Sequence, residues 1–122
     1  MIPRLHTTHI AGLTPGTDLL RLRGEADQDT GRDLLRAFEH ALSNLPTPQV
    51  LLVDCQDLTF CTSAGLTTIL RARRLALRQG TALRLTNIPD QLRRLLRVTE
   101  TDTVLGAQDT PDPVNGSPPG AV

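Results

Sequence analysis

The sequence predicts a small α/β fold on a mixed central sheet, and three observations carry that expectation. Two short runs of strand type precede the first helical pattern and are separated by "TPG" at 14–16, which specifies a hairpin. The stretch "QVLLVDC", 49–55, is continuously aliphatic. A strand buried on both faces reads this way, at the centre of a sheet with helices on each side. Beyond it helical and strand periods alternate, which makes the later strands largely parallel.

The elements follow in order. "RLHTTHIAGL" and "TDLLRLRG" form the two strands of the hairpin. "DQDTGRDLLRAFEHALSNLP" places Leu34, Leu35, Phe38, Ala41, Leu42 and Leu45 at helical intervals, with acids at the positive end of the helix dipole and Pro46 and Pro48 closing it. The aliphatic strand comes next, then a second helix over roughly 63–79, ended by Gly80. On it Leu66, Ile69, Leu70 and Leu77 share an apolar face, and Thr67, Arg71, Arg74 and Arg78 form a polar stripe opposite. "TALRLTNI" alternates as a strand, and "PDQLRRLLRV" opens on a helix-start proline and buries Leu92, Leu95 and Leu96. "DTVLGA" offers a last short strand, so the expected order is β-β-α-β-α-β-α-β. One domain spans 1–106, and "AQDTPDPVNGSPPGAV", 107–122, has almost nothing to bury and is expected to be a disordered tail.

Composition excludes several function classes. Phe38 and Phe60 are the only aromatic residues, so the core is aliphatic and the composition counts against stacking on bases or sugar rings. Every basic residue is arginine, and the formal net charge is zero. Between 61 and 100 eight arginines face only Asp90 and Glu100, an asymmetry that suits a charged partner surface. Arg71, Arg74 and Arg78 share a helix face, but the neutral balance and the missing aromatics argue against nucleic-acid binding. No apolar run approaches the ~20 residues that cross a bilayer, and the first ten residues lack a signal-peptide core, so the expected location is the cytoplasm. Cys55 and Cys61 are too far apart for a C-x-x-C motif and are read as reduced thiols flanking a loop. His6 and His9 would face opposite sides of a strand, and His40 belongs to a helix. No metal constellation is visible, no Gly-rich phosphate loop supports a nucleotide role, and no cofactor is expected.

The specific stretch is "FCTSAGL", 60–66, where a strand hands over to a helix. As an enzyme elbow it fails: "CTSAG" lacks the leading glycine of G-x-S-x-G, and no histidine follows residue 40 to act as a base. The chain is therefore not expected to be an enzyme. Thr62 or Ser63 can cap the helix. The same helix start also tolerates a phosphate, because its N–H groups are free and its dipole is positive there.

The line from "VLLVD" to "TDTVL" resembles the bacterial anti-sigma factor antagonists of the STAS domain family. The matching parts are "LLVD", the turn "TSAGL", "RQGTALRLTNI" and "PDQLRRLL", with "LRGEAD" matching the family's G-E-L-D ahead of the first helix. The resemblance covers about residues 5–106 and implies a STAS-like small α/β sandwich with helices packed on its sheet. It implies a partner, an anti-sigma factor with serine kinase activity, and a serine phosphatase that resets the switch. Sigma factor would be freed when unphosphorylated antagonist binds. Carried over, Ser63 is the phosphorylated residue, with Thr62 the other acceptor. Glu25, Asp27, Thr62, Ser63, Ala64, Gly65, Thr67 and Arg71 are the expected partner-binding set. Two residues depart from the family turn: Thr62 stands where it has Asp, and Ala64 follows the serine. The alternative reading is a constitutive STAS adaptor in a multiprotein sensor or transport assembly, not phosphorylated, with Ser63 only a cap.

Overall fold

The structure, a computed structural model, describes residues 4–106. Strand β1 (Leu5–Thr14) and strand β2 (Thr17–Ala26) form the expected hairpin, turning at Gly16 with a φ of 79°. Helix α1 (Gly31–Leu42) leads to β3 (Val50–Cys61), α2 (Ser63–Arg78), β4 (Ala82–Thr86) and α3 (Asp90–Val98). The sheet runs β1-β2-β3-β4, antiparallel between β1 and β2 and parallel from β2 to β4. This is a mixed α/β sheet with three helices, as expected.

Several details differ from the sequence reading. The segment "DTVLGA" does not form a strand as far as Gly106, the last residue described; it folds into turns, and among the described residues its backbone bonds to β4 only where the Leu105 carbonyl accepts the Leu85 N–H. Its apolar content serves burial instead, since Leu105 is fully enclosed. Leu45 is exposed because α1 stops at Leu42, which leaves Leu45 in the loop. Leu77 is half exposed, because Leu66, Ile69, Ala72 and Ala76 define the inward stripe of α2 and Leu77 falls one position off it. Finally, β3 continues to Cys61, because β2 extends to Ala26 beside it after a register shift. The two thiols are thus buried within one strand rather than flanking a loop.

Both parallel connections cross over on the same side, as right-handed β-α-β units must when strand order advances one way. Leu20, Leu22, Leu51, Val53, Cys55, Leu83 and Leu85 alternate onto that face and are buried with Leu34, Phe38, Ile69 and Leu92. The opposite face is open rather than helix-covered, for His6, Thr8, Arg21, Arg23 and Arg84 are exposed there. It still buries one carboxylate, Asp54 at the end of the aliphatic run. Burying a charge demands partners. Asp54 has Arg21 Nε at 3.2 Å, Asn87 Nδ2 at 3.1 Å and the Gln56 N–H at 3.0 Å.

Candidate functional site

The site grows out of the last row of the β2–β3 ladder, where Glu25 pairs with Phe60 and Ala26 with Cys61. Both strands end there, and both following turns leave from the same edge. The Thr62 N–H donates to the Ala26 carbonyl at 2.9 Å, which ties the two turns together. Gly65 completes the joint: a Cβ built on it would overlap the Ala26 carbonyl oxygen, so α2 approaches β2 closely only because residue 65 has no side chain.

Thr62 is the N-cap of α2, and its hydroxyl accepts the Gly65 N–H at 3.2 Å. Ser63 is therefore the first helical residue and not the cap. It is exposed, and its hydroxyl has no hydrogen bond among the described residues. The N–H groups of Ser63 and Ala64 also lack partners among the described residues, as the first turn of a helix leaves them. Thr67 is exposed one turn on and its hydroxyl returns to the Ser63 carbonyl at 2.9 Å. Arg71 continues that exposed face, ~12 Å along the helix axis from Ser63 at 1.5 Å per residue, so the structure does not bring it to the turn.

The other half of the site is the acidic turn. Asp27 folds it: one carboxylate oxygen accepts the N–H groups of Asp29 at 2.9 Å and Thr30 at 3.0 Å. The Thr30 hydroxyl in turn accepts the Asp27 N–H and donates to the Glu25 carbonyl, both at 2.9 Å. Arg4 then bridges the carboxylates, with Nη2 2.6 Å from Glu25, Nη1 3.1 Å from Asp29, and a close contact to Asp27. Desolvation pushes the Asp27 carboxyl up, but the Thr30 N–H, the Arg4 charge and the Asp29 N–H outweigh it, and its pKa lies below the ordinary value. The Arg4 pKa is raised, chiefly through its hydrogen bond to Glu25.

Two contributors were not legible in the sequence. Arg4 is one; it lies outside every motif and meets the turn only through the hairpin. Gln91 is the other. Its side chain takes the Cys61 N–H at 2.9 Å and gives its own N–H to the Cys61 carbonyl at 2.7 Å, fixing the strand end just before Thr62. Phe60 stands exposed beside Glu25. Among the described residues no group of three His, Cys, Asp or Glu side chains is placed to hold a metal ion, and no helix is long and apolar enough to cross a membrane.

The fold has counterparts among solved structures. An anti-sigma factor antagonist from Mycobacterium paratuberculosis superposes with a TM-score of 0.70 at 21% identity, over 83% of this chain and 82% of that one. A sulfate transporter family protein from Wolinella succinogenes gives 0.65 at 17% identity, over 76% and 74%. The anti-sigma factor antagonist SpoIIAA, in its unphosphorylated form, gives 0.67 at 17% identity, over 80% and 84%. These likenesses show the shared fold. No match was found among curated proteins. The model of the family described as "Mlab, STAS domain" matches residues 11–106, which takes in α2, its opening turn and the acidic turn, and the chain belongs to that family.

Proposed function

We propose that this STAS domain is an anti-sigma factor antagonist. Unphosphorylated, it docks through the acidic turn and the start of α2 onto an anti-sigma factor with serine kinase activity, and sigma factor is freed. Phosphorylation of Ser63 ends the complex, and a serine phosphatase restores the binding form. The observation that supports this reading is the division of labour at 62 and 63: Thr62 caps the helix, which leaves the Ser63 hydroxyl exposed and without a bond among the described residues.

The physical consequence of a phosphate there follows from charge. A phosphoserine carries about −1.5 to −2 at pH 7 and finds free N–H groups at a helix start, so the fold tolerates it. The neighbouring turn already holds the carboxylates of Glu25, Asp27 and Asp29 against the Arg4 guanidinium. A partner surface that matches this local charge is mismatched once the dianion is added, and it must desolvate that dianion to stay bound. The test is capture of an ATP-binding anti-sigma protein from host lysate on wild-type, Ser63→Ala and Ser63→Glu baits. Capture by the first two and loss on the third supports the switch; equal capture by all three ends it.

A second reading is a constitutive adaptor in a sensor or transport assembly. Thr62 in place of the family's Asp favours it, as does the likeness to the sulfate transporter family protein. Intact-mass analysis of protein purified from the host decides between them: phosphate at residue 62 or 63 argues for the switch, and its absence under every growth condition for the adaptor.

A further inference from the structure

Strand β1 lies at the end of the sheet, with β2 on one side and, among the described residues, no strand on the other. The Glu25 N–H donates to the Arg4 carbonyl at 2.9 Å, and this bond sets the phase of the hairpin ladder. Hydrogen-bonded pairs recur every second residue, so His6, Thr8 and Ile10 point their backbone groups at β2. Leu5, Thr7 and His9 point theirs outward, and no described residue bonds to those N–H or C=O groups. Proteins ordinarily protect such an edge with charge, proline or a bulge. Residues 5–10, "LHTTHI", contain neither Lys, Arg, Asp, Glu nor Pro, and the register irregularity falls beyond Ile10. The His9 ring is held back against Asp18, 3.1 Å from its carboxylate.

We infer that β1 pairs with β1 of a second copy of this chain, antiparallel about a two-fold axis at Thr7. The outward set is symmetric about that residue: Thr7 meets Thr7, and Leu5 of each copy meets His9 of the other. All three pairings match outward groups with outward groups, so each exchanges both backbone bonds. On the alternate rows Arg4 lies opposite Ile10 and His6 opposite Thr8, so neither acids nor arginines oppose their own kind. Equal parity across the seam puts the helices of both copies on one face of a continuous sheet. A closed, isologous pair results, because the two-fold axis uses the β1 edge of both copies at once. Because the strands run oppositely, the two Ser63 turns lie at opposite ends of the seam. The inference is independent of what docks at those turns.

Sedimentation equilibrium on the whole chain, from micromolar to about 1 mM, tests it. The expected result is a mass that doubles with concentration, together with slowed amide exchange at Leu5, Thr7 and His9. Thr7→Pro removes an outward N–H and spares the β1–β2 bonds, so it should stay folded and monomeric. Thr7→Lys sets like charges on the axis and should weaken association at least tenfold at low salt, with the fold unchanged. A chain that stays monomeric throughout overturns the inference. So does association that survives in Thr7→Lys, or a dimer in which those three amides exchange freely.

Discussion

Gly65 lies against the carbonyl oxygen of Ala26, the same oxygen that takes the Thr62 N–H, so the two turns of the site share a single atom as their hinge-point. The first prediction follows from that crowding. Gly65→Ala should destabilise the domain by about 3 kcal/mol, at the upper end of overpacking costs, because the obstacle is backbone and not a side chain that can move away. Urea unfolding of the two proteins measures it. A change below about 0.5 kcal/mol, the range of neutral surface substitutions, would show that the joint yields easily.

Thr62 and Ser63 should separate cleanly in stability. Thr62→Ala removes the cap and is expected to cost about 1 kcal/mol, whereas Thr62→Asp keeps an acceptor and places a charge at the favourable end of the dipole. Ser63→Ala should change stability by less than about 0.5 kcal/mol, since the lost hydroxyl was making no bond. Thermal melts of the three variants give the comparison.

This pair also shows how far the sequence was legible. "CTSAGL" located the site, because a turn flanked by an aliphatic run and a helical period leaves few structural options. Which hydroxyl caps the helix depends on backbone angles that the residue types alone do not set. Arg4 and Gln91 were invisible because each reaches across the fold, Arg4 over 21 residues to Glu25 and Gln91 over 30 to Cys61. Leu45 and Leu77 were misplaced for a different reason: both continue an apolar pattern past the point where the helix ends or its inward stripe has rotated away.

Acid titration should expose the Arg4 clamp. Asp27 has a folded pKa below its ordinary 3.8, so it adds stability above that value and loses it as pH falls through the folded pKa. Arg4→Gln removes one of the lowering influences, so the Asp27 carboxyl should titrate at higher pH and its share of acid stability should shrink. Carboxyl NMR titration reads this directly. An Asp27 midpoint unmoved in Arg4→Gln would mean that the backbone N–H groups of Asp29 and Thr30 act alone.

The thiols give an alkaline counterpart. Burial raises Cys61 to about 12 and Cys55 further still. Their unfolded pKa is near 9.0, so the unfolded chain ionises first and stability should fall as pH rises above that value. In the native state both should resist a thiol reagent at pH 8 and react at the rate of opening, whereas the denatured chain should react at once. Rapid labelling of either cysteine in the folded protein contradicts the burial found here.

The grip of Arg4 on the acidic turn has a practical side as well. Arg4 itself is moored beside the carboxylates of Glu25, Asp27 and Asp29, only three residues from the Met1 to which an affinity tag, a fluorescent reporter or a neighbouring domain would be joined. An N-terminal fusion would therefore crowd the surface that an interaction screen is meant to probe, and a screen built on such a bait would report false negatives.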